Sequence, residues 1–251
     1  GVQTCALPIS RKKELAMSSE KQNSIKIALI SRKGGVGKSA LAREFAFFMR
    51  DKYDDCVPIT LYDCDPRGAQ EEVVIAPPFD IVSVEPSDNI PLNNEGISVY
   101  DFASEPDKRL KKVIQEVDLV VIPFQPAIDS IIRTIDTFSF VVPHNDQILM
   151  ICNMYIHIND VETSKSELEG LLGDKGIQTE LWVLPIKQYT GIRSVENEGG
   201  SVLARFKKGG IYSRSFRPIC SEIDKIVSES IAVIEDSRRV QSEKKEVLNV
   251  N

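Results

Sequence analysis

Short apolar runs recur along the chain, several of them followed by stretches whose apolar residues fall three and four positions apart. Ile25-Lys26-Ile27-Ala28-Leu29-Ile30 is the first such run. It is rich in branched apolar residues and alternates poorly, the pattern of a strand covered on both faces in a parallel sheet. Ser39 to Met49 contains no Gly or Pro, and Leu41, Phe45 and Phe48 place one apolar stripe along a helix that faces that sheet. Further strands are predicted at Val57 to Tyr62, Ile97 to Tyr100, Leu119 to Pro123, Gln147 to Ile151 and Leu181 to Leu184. Ile128, Ile131, Ile132 and Ile135 have helical spacing and read as core packing. Strands alternating with helices predict the α/β class, with a doubly wound, mainly parallel sheet flanked by helices.

Between the first strand and the first helix stands "SRKGGVGKSAL", Ser31 to Leu41. Gly34, Gly35 and Gly37 thus occupy a strand-to-helix turn, where backbone N–H groups and a helix N-terminus surround a phosphate. The strict phosphate-loop pattern, Gly, four residues, then Gly-Lys-Ser/Thr, fails at Arg32, and the stretch carries two lysines, Lys33 and Lys38. The second apolar run ends in "DCDPRGAQ", which puts Asp63 and Asp65 at the carboxyl edge of a strand, where open α/β sheets bind ligands. Pro66 and Gly68 make the turn that follows. Phosphoryl transfer needs negative charge around magnesium and a group that positions the attacking water, and two carboxylates beside the loop suit both tasks. Asp101 closes the Ile97 to Tyr100 strand, whereas Asp118 opens the next one, so Asp101 is the carboxylate expected at the phosphate edge.

The length of 251 residues, 42% hydrophobic and 27% charged, is enough for a full core and reads as one domain. No apolar run approaches the ~20 residues that a membrane span requires. The five cysteines form no Cys-x-x-Cys pair and no ligand cluster with His144 and His157, which fits a reducing cytoplasm. A net charge of −6 argues against a protein that coats nucleic acid all over, yet leaves room for a local basic face. Arg205, Lys207, Lys208, Arg214 and Arg217 form one basic group, and Arg238, Arg239, Lys244 and Lys245 another. The expected organisation is a disordered segment over 1–24, one folded domain over 25–236 and a polar tail over 237–251. Within the first segment, residues 1–9 look like the translation of a sequencing adapter, and Met17 is the expected start.

The core of the loop, Lys33-Gly34-Gly35-Val36-Gly37-Lys38-Ser39, resembles the deviant loop of the ParA/MinD family of P-loop ATPases. The resemblance spans roughly Ile25 to Ser228 and is most specific in this loop and in the Asp-x-Asp-Pro turn. It implies ATP and Mg2+ as ligands, with Lys33 reaching across a nucleotide-bound homodimer to the partner's phosphates and Lys38 serving its own site. Gly34, Gly35, Val36, Gly37, Lys38, Ser39 and Ala40 would hold the phosphates, and Ser39, Asp63 and Asp101 the magnesium shell. Asp65 would orient the water. Asn153 and Pro185, expected just after their strands, would hold adenine, and an amide is able to pair with a base edge. Two departures are evident: Arg67 stands where the family usually has Gln, and "DFASEPDKRL" replaces the usual small-residue run after Asp101.

Family members perform different tasks on this fold, so the loop alone does not name the task. The tail "SRRVQSEKKEVLNVN" is too polar for a MinD-like membrane helix, and paired cysteine ligands for an iron–sulfur cluster are absent from the sequence. The reading that remains resembles a small ParA: an ATP-bound dimer that holds double-stranded DNA non-specifically through Arg205, Lys207, Lys208, Arg214 and Arg217, and lets go when a ParB-like centromere-binding partner stimulates hydrolysis. Such a protein would be cytoplasmic, nucleoid-associated and independent of membranes, and would carry no operator-specific domain before Ile25. The alternatives are an ATP-dependent ligase of the dethiobiotin synthetase or cobyrinate amidation type, and a non-catalytic binding module.

Overall fold

The computed structural model describes residues 24–53, 55–68, 70–74, 77–92, 95–105, 107–189, 195, 201–207 and 211–249, with backbone only at 205, 211–215 and 245–249. In chain order the elements are β1 (Ile25–Leu29), α1 (Lys38–Lys52), β2 (Ile59–Cys64), α2 (Gln70–Val73), β3 (Asp80–Ser83), β4 (Ile97–Phe102) and α3 (Leu110–Glu116). They continue with β5 (Leu119–Phe124), α4 (Ile128–Val141), β6 (Ile148–Tyr155), α5 (Ile158–Asp174), β7 (Val183–Lys187), α6 (Val202–Lys207) and α7 (Ile211–Asn249). The strands form one seven-stranded sheet in the order β3-β2-β4-β1-β5-β6-β7. Every neighbouring pair is parallel.

The poor alternation of β1 has a direct structural cause. Ile25, Ile27 and Leu29 enter the core on the face covered by α1, α6 and α7. Ala28 and Ile30 enter the other core, with residues of α3, α4 and α5. The predicted stripe of α1, Leu41, Phe45 and Phe48, is buried as its spacing requires. Burying side chains of this size stabilises the fold by about 1.5–3 kcal/mol each. Because the connections after β1, β2 and β4 all leave from one edge of the sheet, that edge gathers the loops carrying Lys38, Asp65 and Ser104.

Several expected boundaries shift. β2 runs through Asp63 to Cys64 and β4 through Asp101 to Phe102, so both carboxylates belong to the hydrogen-bonded ladder, paired Asp63 with Asp101. Asn153 and Pro185 lie inside β6 and β7 rather than after them, because both ladders continue past the apolar runs. On α4, Ile131 and Ile135 are buried, but Ile128 and Ile132 are 66% and 51% exposed, so the reading of all four as core fails for two. At the C-terminus no break occurs at residue 237. Helix α7 is continuous to Asn249, and Arg238 donates to Asp118 Oδ1 at 2.7 Å and also to the Ser24 carbonyl. Asp118 in turn accepts from Lys26 N–H at 2.8 Å, which gives it a structural task at the edge remote from the glycine loop.

Candidate active site: a glycine loop facing two buried carboxylates

Gly35 and Gly37 take φ of +77° and +90°, a region that side-chain-bearing residues rarely enter. Gly37 caps α1 without a side-chain hydrogen bond, and the first turn of α1 contains no acidic residue. The first N–H groups of α1 therefore combine with the helix dipole into an opening suited to an anion. Space also demands glycine at 37, since a Cβ there would stand 2.5 Å from Asn153 Nδ2. Asn153 is itself buried and donates to the Val36 carbonyl at 2.8 Å. Gln125 donates to the Gly35 carbonyl at 3.1 Å, so two amides from neighbouring strands hold the loop from outside. Next to Asn153, Met154 adopts φ of +62° where the pairing of β6 with β7 is irregular. The Asn153 amide is thus occupied with the loop, and Pro185 sits on the adjacent strand opposite Cys152.

Arg32, the departure from the strict pattern, does not intrude on the cradle. Its backbone N–H donates to Thr137 Oγ1 at 3.1 Å and its guanidinium lies over the Phe140 ring, 5.4 Å from the centroid. Lys33 extends over the surface to Asp129 at the start of α4, Nζ to Oδ2 2.8 Å. Lys38 behaves differently. It is buried, and its ammonium donates to Ser104 Oγ at 2.7 Å and to the Lys33 carbonyl at 3.3 Å. Desolvation pulls its pKa down, while the charges of Asp101 and Asp65 oppose the shift.

The carboxylates face α1 across the sheet edge. Asp101 is fully buried, and burial lifts its pKa to about 6, with the Ser39 side chain and the hydrogen bond from Gln70 working against the shift. Asp63 is also raised by desolvation, partly offset by the backbone N–H groups of Gln70 and Asp65. Gly68 is required beside it, because a Cβ at that position would meet Asp63 Oδ1 at 2.1 Å. Asp65 stands at the mouth of the site and accepts from Arg67 N–H at 3.0 Å. The Arg67 guanidinium reaches Glu105 at 3.0 Å, so the two departures from the family pattern pair with each other.

Gln70 is the residue that sequence reasoning missed. Its side-chain amide donates to Asp101 Oδ2 and to the Ser39 carbonyl, both at 2.9 Å. Its backbone N–H donates to Asp63 Oδ2 at 3.1 Å, and its side-chain oxygen accepts from Arg43 at 3.3 Å. Spacing gives no signal for this hub, which depends on the turn after β2 folding back under α1.

A buried carboxylate pair faces a glycine loop, with one lysine inside it and another beside it, an arrangement able to receive an anion. The chain has the ParA/MinD-like P-loop ATPase fold. Solved structures with this fold include a ParA family ATPase from Chlorobium tepidum, at TM-score 0.59 and 18% identity over 83% of this chain and 98% of that one. Apo McdA from Cyanothece matches at TM-score 0.60 and 11% identity over 83% and 100% of the two chains. The septum site-determining protein MinD of Pyrococcus horikoshii, complexed with Mg-ADP, matches at TM-score 0.55 and 14% identity over 82% and 98%. No protein-family model and no curated protein matches the sequence.

Of the basic residues expected on this fold to meet DNA, Lys207 is on α6 and ion-paired with Asp51, while Arg217 is exposed on α7. Arg205 and Arg214 belong to α6 and α7 by backbone, and Lys208 lies outside the described residues. Asp51 is thirteen residues along α1 from Lys38, which places Lys207 about 20 Å along that helix from the phosphate end. Most of "YTGIRSVENEGG", the segment after β7, also lies outside the described residues. Among the described residues no helix is long and apolar enough to cross a membrane.

Proposed function

We propose that this chain is a ParA-type ATPase that dimerises on ATP binding, holds DNA non-specifically, and hydrolyses ATP to drive plasmid or chromosome partition. The observation that carries the reading is the placement of two lysines on one glycine loop: Lys38 buried against Ser104, and Lys33 on the surface beside α4. A single-site enzyme needs only the first.

Mg2+ fits the donor set. Among the described residues no group of three or more His, Cys, Asp or Glu side chains could hold a metal alone. Magnesium keeps waters and relies on substrate phosphates alongside one or two carboxylates, and Asp101 Oδ1, buried without a hydrogen-bond partner among the described residues, is an acceptor open to that shell. Ser39, Asp63 and Asp101 would hold its shell, with Gln70 fixing both carboxylates. Bound there, the ion would neutralise charge developing on the phosphoryl oxygens. The N–H groups of Gly34 to Ala40 hold the phosphates, Lys38 contacts them from within the chain, and Asp65 orients the attacking water. Asn153 contributes by keeping Val36 in place, and its strand neighbourhood with Pro185 offers the adenine a wall.

Dimer formation has a surface to use. Ile128 and Ile132 on α4, Ile156 just after β6 and Ile158 at the start of α5 are all exposed on the carboxyl side of the sheet. Lys33 pairs with Asp129, next to Ile128 on α4, and would leave that partner to reach phosphates of a second copy. The basic residues Arg205, Lys207, Lys208, Arg214 and Arg217 supply sequence-independent affinity for double-stranded DNA. A ParB-like protein is the fitting stimulator, and the nucleoid the fitting location.

One observation favours the ligase alternative: a cavity of about 420 Å3 beside the site, lined by Pro66, Arg67, Lys108 and Arg109 among others. Its arginines are already engaged, Arg67 by Glu105 and Arg109 by Asp107, which weakens it as a receptor for a substrate carboxylate. ATP turnover measured with and without DNA separates the readings. Turnover that DNA and a partition partner raise supports the first, and turnover needing a carboxylate co-substrate replaces it with the second.

A further inference from the structure

The loop after β4 departs from the family pattern, and the structure shows where the departure leads. Ser104 stands three residues beyond Asp101, and its hydroxyl accepts from Lys38 Nζ at 2.7 Å. It also lines the glycine loop, 3.9 Å from where a Cβ on Gly34 would be. The ammonium has three donors, of which Ser104 and the Lys33 carbonyl take two. A hydroxyl that accepts from an ammonium keeps its own proton to donate, and among the described residues no acceptor takes it. The cradle therefore has two spare donors side by side: the third proton of Lys38 and the hydroxyl of Ser104.

The loop holding Ser104 is tied on both sides. Glu105 pairs with Arg67 at 3.0 Å. Arg109 pairs with Asp107 at 2.7 Å and donates to the carbonyls of Glu85 and Asp88 at 2.7 and 2.9 Å. The serine is steadied beside Lys38 mainly by the half-buried Arg109 ties outside the cradle, as a preorganised ligand contact requires, with the exposed Arg67–Glu105 pair adding little.

We propose that Ser104 is a contact for the terminal phosphate of a nucleoside triphosphate: its hydroxyl stays on Lys38 and donates to a γ-phosphoryl oxygen. The inference rests on the nucleotide reading of the site. It makes Ser104 a discriminator, since a diphosphate offers no oxygen at that point and gains nothing from the hydroxyl.

The test is equilibrium binding of a fluorescent non-hydrolysable ATP analogue and of the matching ADP analogue, with Mg2+, to the wild-type chain and to S104A and S104T. Ser104→Ala is expected to weaken the triphosphate about tenfold, the low end of the loss of a hydrogen bond to a charged group, and to leave the diphosphate within about twofold. Ser104→Thr, which keeps the hydroxyl, restores most of the difference. Equal weakening of both nucleotides in Ser104→Ala, or no weakening of either, overturns the proposal while leaving the nucleotide site intact. The same loss in the threonine variant overturns it too. A wild-type chain that binds neither nucleotide removes the nucleotide reading itself, and this inference with it.

Discussion

The Lys33 ammonium and the Asp129 carboxylate stand 2.8 Å apart at the rim of the glycine loop, with side chains 34% and 66% exposed. Lys33 draws the Asp129 carboxyl below its ordinary range through their hydrogen bond. An exposed pair of this kind is weak, because solvent screens it. It therefore holds Lys33 in place without preventing it from turning to a second chain.

Removing that partner should favour assembly slightly. Asp129→Ala is expected to shift ATP-dependent dimerisation to lower protein concentration, by a few-fold at most. Sedimentation across a concentration series with a non-hydrolysable ATP analogue reads the shift. Weaker dimerisation in the variant would mean that Asp129 itself contributes to the interface.

Gly37→Ala combines a forbidden φ with a 2.5 Å collision against Asn153 Nδ2. The variant should lose nucleotide binding by at least about tenfold while keeping its far-UV circular dichroism, since the strain falls on a loop outside both cores. Calorimetric titration with ATP and Mg2+ checks it.

Asp101 carries a testable pH dependence. Its folded-state pKa is raised to about 6 by burial, from an ordinary 3.8. Between those values the native state keeps a proton that the unfolded chain has lost, so this group lowers stability progressively as pH rises through the window, and the loss persists above it. Asp101→Asn removes the buried charge. Without nucleotide the variant should melt a few degrees higher at pH 7.5, on the order of 1–3 kcal/mol more stable, and the gain should vanish toward pH 4. Hydrolysis should be lost at the same time. A variant that melts lower at pH 7.5 contradicts the assignment of a strained, buried carboxylate.

Gln70→Leu keeps bulk but removes the donor to Asp101 and Ser39 and the acceptor for Arg43. Loss of these bonds should cost about 1–3 kcal/mol of stability, read by urea denaturation, and lower kcat more than nucleotide affinity. Unchanged turnover would show that Asp101 needs no side-chain amide from Gln70, whose backbone N–H still serves Asp63 in the variant.

Arg238→Ala leaves Asp118 without its guanidinium at the opposite edge of the sheet. The expected cost is about 1 kcal/mol, seen as a melting temperature lower by a few degrees, with nucleotide affinity unaffected. The same measurement on a chain ending at Asp236 distinguishes a dispensable tail from a helix that belongs to the domain.

Six of the seven strands, α1 and the glycine turn are legible in the sequence because their causes are local: branched apolar runs, a three-and-four stripe, and glycines where φ turns positive; β3, four residues that stay mostly exposed, carries no such run. Asp63, Asp65 and Asp101 follow from the rule that such sheets bind ligands at carboxyl edges. Strand ends are misjudged where polar residues remain in the ladder, as Asp63, Asp101 and Asn153 do. Ile128 and Ile132 look like core because helical spacing cannot say which neighbours arrive, and α4 leaves that face open. The harmlessness of Arg32 depends on Phe140, the place of Gln70 on the path of the turn after β2, and the value of Ser104 on Lys38 lying against it. Each is a long-range contact that no local pattern encodes.

The central claim is an ATP-made DNA site, and binding to non-specific double-stranded DNA tests it most directly. The protein would be titrated with ADP, with ATP, and with ATP on an Asp65→Ala variant blocked in hydrolysis, across a salt series. Tight binding only with ATP, persisting in the variant and falling steeply with salt, is the predicted result. Absence of DNA binding in every nucleotide state would contradict the partition function and leave a nucleotide site serving other chemistry.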